Sequence, residues 1–451
     1  MAIKTNKKLG RNLGFFSVFA IGTGTMIGAG IFILPGIAIS NAGPAAILSF
    51  VLGGLIAMAT ALSMAELATG MPKAGGTYYF ISRAMGPAMG TVIGLGAWLA
   101  LVFKGSFALM GLAEYAQSFL PIHLLFIAII SGFILLYINY RGAESSGSLQ
   151  NAIVVGLFLI LALFIFKGLG QMEYTNLKPV LPYGVSSIFT TTGLIFVSYL
   201  GITQLAAISE EVKDPSRNLP RAFIGSVFTV TLLYVGIMFV VNGLLPLENL
   251  INNEVPLINA AEILGGTFGR IAIIFAGFFA TVSTANAAIL SSSRFPFAMG
   301  RDKLIPDKFV NIHQKYGTPS RAIIITGLVM ILFVVFFNVE QLAKLGSTFN
   351  VLIFALINLS TIILRKVKKD WYNPSFRDPL FPYTQVFGIV ASLSLIPQLG
   401  LLSFVFSISV FIIGFLWYVL YGKKRALLQT TFLDIIDEDV IDENVEDKSK
   451  V

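Results

Sequence analysis

The chain has 451 residues, 56% of them hydrophobic and 12% charged, with a mean hydropathy of +0.83. A soluble domain carries about 25% charged residues, so this composition excludes a water-soluble fold and indicates an all-α polytopic membrane protein. There is no cysteine, and the two histidines, His123 and His313, fall in predicted loops, which argues against disulfides, thiolate chemistry or a histidine metal cluster.

Apolar runs predict twelve spans: 13–39, 44–69, 86–118, 122–140, 150–169, 186–209, 221–245, 267–297, 320–338, 342–364, 382–402 and 404–421. The basic start leads directly into the first apolar run, which reads as a membrane helix and not as a cleavable signal. Most Lys and Arg residues then fall on one side. Only Lys167, Lys178, Arg270 and Lys344 lie opposite, and Lys104 lies within a span. Both termini are therefore expected in the cytoplasm. This asymmetry accounts for the net charge of +8 without a nucleic-acid partner. The segments expected are a cytoplasmic stretch 1–12, spans one to five over 13–169, spans six to ten over 186–364, two further spans over 382–421, and an acidic cytoplasmic tail over 422–451.

Span one carries Gly22, Gly24, Gly28 and Gly30 close together, and each costs helix stability. One reading is a tight helix–helix contact through small residues. The other is a helix interrupted near the bilayer midplane, whose freed N–H groups and helix dipole form an anion site. Span six supports the second reading. Gly201 interrupts it beside Ser198, Tyr199, Thr203 and Gln204, five spans after the first break. Two interrupted helices at matching places in two halves are the sequence mark of an inverted-repeat transporter.

Span three holds Lys104 in mid-membrane. An ionisable residue at that depth is a functional candidate, here for binding and releasing protons, and its structural alternative is pairing with a carboxylate or with helix-end carbonyls. Lys167 lies near the end of span five and is expected to snorkel. Glu66, Glu210, Glu211, Arg294 and Asp302 lie at predicted inner ends. They are candidates for gating ion pairs, Glu66 and Arg294 foremost, or for plain helix-end anchoring. No GxxxxGK[ST] loop is present, which argues against ATP-driven pumping, and no covalent chemistry is indicated, so the chain is not read as an enzyme.

Four stretches together resemble the amino acid–polyamine–organocation (APC) superfamily of permeases. They are GTMIGAGIF (24–32) followed by Leu34-Pro35-Gly36, MAELATGMPKAGGTYYF (64–80), SEEVKDPSRNLPRA (209–222) and SSSRFPFAMGRDKLIP (291–306). The resemblance covers roughly residues 10–365 and implies the LeuT-type fold of five plus five inverted helices, with helices 1 and 6 interrupted and helices 11–12 outside the repeat. It further implies an amino-acid substrate whose carboxylate meets the N–H groups of Gly28, Ala29 and Gly30. The α-ammonium would meet the carbonyls of Met26, Val197 and Leu200. Many members carry an aromatic residue at the place of Val197, so the gate is expected elsewhere, with Tyr199 and Phe103 as candidates. Some members place a lysine in span five where a sodium ion otherwise sits. Here Gly156 or Leu157 stands there, and Gly24, Ile27, Thr281, Ser283 and Thr284 are the candidate sodium ligands. The expectation is secondary active transport of amino acids in a prokaryotic cell membrane, by symport with Na+ or H+ and with no other cofactor. An exchanger, an amine or polyamine carrier, and a sensor without flux remain the alternatives. Oligomeric state is not legible.

Overall fold

The computed structural model describes residues 11, 13–73, 75–142, 147–251, 253, 255–367 and 371–426, apart from the side chains of 147–153. Most of the expected N-terminal segment and nearly all of the acidic tail lie outside the described residues.

The described residues are helical and contain no strand. In chain order the helices are α1 (Phe15–Ile27), α2 (Gly30–Ala42), α3 (Ala46–Gly70), α4 (Gly76–Met85), α5 (Pro87–Gln117), α6 (Leu124–Arg141), α7 (Gly147–Leu169) and α8 (Ser186–Ile195). They continue with α9 (Gly201–Ala207), α10 (Pro215–Leu244), the short α11 (Leu247–Leu250), α12 (Pro256–Arg301), α13 (Ser320–Phe336), α14 (Val339–Val367), α15 (Tyr383–Leu395) and α16 (Leu401–Trp417). Among the described residues, eight helical stretches are long and apolar enough to cross a membrane; one of them, Phe15–Gly70, is 56 residues long. Val154–Leu169, Ser320–Phe336 and Tyr383–Leu399 are shorter apolar helices.

Burial sorts the helices by position. The faces of α5, α8 with α9, and α14 are mostly buried, whereas α6 and α16 expose Phe126, Phe133, Ile413 and Leu416. An apolar exterior around an interior holding Lys104, Gln204 and Asn350 is the arrangement lipid favours over water.

Both expected interruptions are present, in different forms. In the first, Gly28 separates α1 from α2 with φ 27 and ψ −136, a backbone that a side chain rarely tolerates. In the second, Phe196–Leu200 winds as a 3-10 turn between α8 and α9, so the chain tightens there instead of opening. The helix α1 packs on α9, and α2 packs on α8. The two interrupted helices therefore run in opposite directions. At one end a backbone bridge ties them, with Leu13 N–H donating to the Glu211 carbonyl (3.0 Å) and Lys213 N–H to the Leu13 carbonyl (2.8 Å).

Two elements escaped the hydropathy pattern. The motif after α3, expected as a loop, holds the ten-residue α4, too short and too polar on one face to register as a span. Span eight has a lead-in from Pro256 that kinks at Gly266 (φ 57, ψ −149) before the long segment to Arg301.

Candidate functional site

The site is built on the two breaks. Gly28 N–H donates to the Gly24 carbonyl (3.0 Å), and Ala29 N–H donates to Thr284 Oγ1 of α12 (3.0 Å). Two of the three N–H groups expected to face an anion are thus already engaged. Gly30 opens α2, where helix geometry leaves the first N–H groups without an intrahelical partner. A Cβ at Gly30 would overlap Ser198 Oγ and lie 2.7 Å from Tyr234 Oη. Gly201 plays the reciprocal part, since a Cβ there would lie 2.7 Å from Met26 N and 2.8 Å from Thr25 Oγ1. Glycine at both positions lets the two breaks touch.

The carbonyls have their own partners. Tyr234 Oη of α10 donates to the Met26 carbonyl (2.9 Å) and lies 3.5 Å from that of Ile27. Thr203 Oγ1 donates to the Leu200 carbonyl (2.6 Å). The 3-10 turn is covered by α14. Ser347 Oγ accepts from Val197 N–H (2.7 Å) and donates to the Leu194 carbonyl (2.8 Å), and Asn350 Nδ2 donates to the Phe196 carbonyl (2.8 Å). Asn350 is fully buried and its Oδ1 has no partner. Replacing Asn350 with Leu should lower the melting temperature, because an orphaned buried carbonyl costs about 1–3 kcal/mol. A thermal-shift assay on the purified protein checks this, and an unchanged melting temperature would mean the turn does not need that hydrogen bond.

The two aromatic gate candidates occupy different surroundings. Tyr199 is buried, with Oη 3.4 Å from the Phe50 carbonyl and from Thr231 Oγ1, beside the Tyr234 ring. Phe103 stacks on Phe333 at 4.6 Å and meets Phe337 and Phe406 edge-on. Its Cβ and Val197 Cγ2 both border Gly346, at 3.5 Å and 2.9 Å from the place of a Cβ. Phe103 therefore backs the second break from an aromatic cluster, while Tyr199 sits between the second break, α3 and α10.

Lys104 is buried, and its Nζ donates to the Thr25 carbonyl (2.8 Å) and to Gln204 Oε1 (3.4 Å). Gln204 Nε2 in turn lies 3.4 Å from Ser291 Oγ on α12. The ammonium thus joins α5 to both interrupted helices, and among the described residues no carboxylate pairs with it. Of the two structural alternatives, helix-end carbonyls are what it meets.

The candidate sodium ligands are dispersed in their bonding. Thr281 Oγ1 donates to the Gly277 and Phe278 carbonyls of its own helix. Thr284 Oγ1 donates to the Ala280 carbonyl (2.8 Å) while accepting from Ala29 N–H. The Gly24 carbonyl is the acceptor for Gly28, and Ser283 is half-buried on α12. A cation entering between Gly24, Ile27 and Thr284 would compete with the bonds that shape the first break.

At the end of the bundle where α3 and α9 terminate, Arg294 and Glu211 stand 3.7 Å apart. Glu66 is fully buried and belongs to another network. Arg365 meets both of its oxygens, Asp378 N–H donates to it (2.9 Å), and Tyr372 Oη lies 3.2 Å away. Burial, followed by the Glu66 charge, pushes the Tyr372 phenol up, so it stays a neutral donor. Tyr78 Oη likewise donates to Asp302 (2.6 Å), with its phenol pushed up by burial and then by that carboxylate. Glu66→Gln leaves Arg365 without its counter-charge, and breaking such a buried pair costs about 3–5 kcal/mol. A large drop in melting temperature is the expected result, read in the same thermal-shift assay.

Ser198, Tyr234, Gln204, Ser347 and Asn350 are the neighbours that sequence reasoning did not assign to the site. The one signal for Ser347 and Asn350 was the polar run Ser347-Thr348 and Asn350 inside an apolar span.

The family model described as amino acid permease matches residues 13–424. The chain is 32% identical to the methylthioribose transporter of Bacillus subtilis (strain 168) over 449 residues, 94% of this chain and 96% of that protein. It is 29% identical to the branched-chain amino acid permease BcaP of the same organism, over 95% of this chain and 96% of that protein. It is 26% identical to the serine/threonine exchanger SteT, also of Bacillus subtilis (strain 168), over 85% and 90%.

Proposed function

The chain belongs to the amino acid permease family, so it is a membrane transporter and not an enzyme, and on that premise we propose that it carries amino acids across the cell membrane by alternating access. The observation that carries the reading is the contact of two opposed helix breaks at Gly30 and Gly201. It sets the start of α2, with its positive dipole end, beside the Met26 carbonyl. The substrate carboxylate takes the Gly30 N–H first and the Gly28 and Ala29 groups by displacing their present partners. The α-ammonium takes the carbonyls of Met26, Val197 and Leu200, replacing the Tyr234 hydroxyl at Met26. Both partners are main-chain atoms, so side-chain selectivity comes from the walls, including Val197, Tyr199 and Phe103.

The architecture in this reading is twelve crossings with five plus five inverted repeats over 13–169 and 186–364. The double length of Phe15–Gly70 and the three shorter apolar helices support it, beside the other long stretches. The family's bacterial members and the one-sided distribution of Lys and Arg support a prokaryotic plasma membrane with both termini in the cytoplasm. The coupling ion in this reading is H+, taken and released by Lys104. Its bonds to Thr25 and Gln204 support the proton over sodium, as do the internal bonds of Thr284 and Gly24. Exchange of internal for external amino acid is the second reading, supported by the similarity to SteT.

Ligand-dependent thermal stabilisation tests main-chain recognition. An amino acid at about 100 times its Kd adds about 2.7 kcal/mol of stability. The matching decarboxylated amine and N-acetyl derivative should add none. Equal stabilisation by the amine would overturn the carboxylate assignment and favour an amine carrier.

A further inference from the structure

One cavity shares no lining residue with the helix breaks. It has a volume of about 300 Å³, is open to the exterior, and is lined by Trp98, Met299, Phe309, Ile325, Ile413 and Trp417 among other apolar side chains. It sits between α5, α12, α13 and α16, toward the end of the bundle where α12 terminates. Its walls are fixed, because Trp98 Nε1 donates to Thr326 Oγ1 (2.9 Å) and Trp417 Nε1 donates to the Leu304 carbonyl (2.9 Å). Both indoles spend their polar group on the protein and turn carbon toward the cleft. Trp417, at the end of α16, stands where tryptophan suits a membrane interface, while Trp98 lies deeper along α5.

The rim is basic. Lys308 adjoins the lining residue Phe309, and Arg321 lies one helical turn before Ile325 on α13. Both are exposed, and neither makes an ion pair among the described residues. Arg301 follows Met299 by two residues, and Lys423 and Lys424 follow the helix of Trp417, all exposed. The nearby carboxylates are already engaged, Asp307 by Lys303 and Asp302 by Tyr78. An apolar slot whose lining residues have exposed, unpaired cations beside them in the chain matches a molecule with an apolar tail and an anionic head. Cations near a membrane surface attract an anionic lipid headgroup.

We propose that this cleft is a binding site for an anionic phospholipid, with an acyl chain between Trp98 and Ile413 and the phosphate held by Arg321 and Lys308. The lipid then touches α5 and α12, the helices that carry Lys104 and Thr284.

Fluorescence quenching tests the proposal. In a Trp371→Phe, Trp417→Phe chain, Trp98 is the only indole left, and it is half-buried at the cleft. The chain is reconstituted in phosphatidylcholine vesicles containing a small fraction of brominated-acyl phosphatidylglycerol or of brominated-acyl phosphatidylcholine. Phosphatidylglycerol should half-quench Trp98 at a roughly thirtyfold lower fraction than phosphatidylcholine, following the two cations. Adding Arg321→Gln and Lys308→Gln should bring the two curves together. Equal quenching by both lipids in the parent chain, no quenching by either, or a preference that survives the rim substitutions would overturn the proposal. Native mass spectrometry of the wild-type chain gives a second readout free of the tryptophan changes. It should show one retained phosphatidylglycerol, and none retained would overturn the proposal equally.

Discussion

Gly30→Val should abolish substrate binding while leaving the protein folded. Even a single Cβ at this position overlaps Ser198 Oγ and stands 2.7 Å from Tyr234 Oη, and valine adds two more carbons on a stiff χ1. The strain is steric and local, because Gly30 has an ordinary helical backbone and is absent from the positive-φ glycines. Ser198 and Tyr234 have to move, and the space beside the first N–H of α2 is what they vacate into or what valine fills. An affinity loss of about a hundredfold or more is expected, roughly 3 kcal/mol. Gly156→Ala is the control, since a Cβ there meets nothing within 4 Å. Binding of labelled amino acid to purified protein is the measurement. Wild-type affinity in Gly30→Val would remove the substrate site from this break.

Lys104→Met should abolish the pH dependence of uptake and cut concentrative uptake tenfold or more, while exchange of amino acid across the membrane persists. Methionine keeps most of the length and none of the charge, so the Thr25 carbonyl and Gln204 lose their cationic partner. The groups facing Nζ are Thr25 on α1, Gln204 on α9 and, through Gln204, Ser291 on α12, none of which titrates. A pH response lost with Lys104 therefore belongs to Lys104. Stability separates this from a packing role. Removing a buried ion and filling its place with an apolar chain is often neutral or stabilising. An unchanged or raised melting temperature with lost pH dependence fits coupling. A lowered melting temperature with retained pH dependence would make Lys104 a structural tie between α1 and α9.

Both interruptions were legible in the sequence because glycines and small polar residues cluster at matching places in two apolar spans, which a packing contact alone does not explain. Gly28 takes a backbone that few side chains adopt, and Gly201 is where Met26 comes too close for a Cβ. The helical, membrane-spanning character was legible for a related reason, since long apolar runs have few fates besides lipid, and eight such stretches stand among the described residues. What covers the breaks was not legible. Tyr234 reaches Met26 across 208 positions, and Ser347 reaches Val197 across 150. A hydroxyl in an apolar helix has its own preceding carbonyl as the nearest acceptor, as Thr281 illustrates, so its tertiary partner has no local pattern. Glu66 and Arg294 were read together as gate candidates because both lie at span ends. Their partners, Arg365 and Glu211, belong to separate networks that only the packing of α3 on α14 and of α12 near α9 defines. The tightened form of the second break also follows from packing, because α14 supplies the donors and acceptors that a 3-10 turn leaves over.

Proton-coupled movement of amino acids through the two breaks is the proposed activity. Its most direct test is uptake of a labelled amino-acid mixture into proteoliposomes under an imposed proton gradient, a sodium gradient or internal amino acid, each in turn. Accumulation above equilibrium driven by the inward proton gradient, and not by sodium alone, is the expected result. Uptake that responds only to internal amino acid, or no flux under any of the three conditions from folded protein, would contradict it.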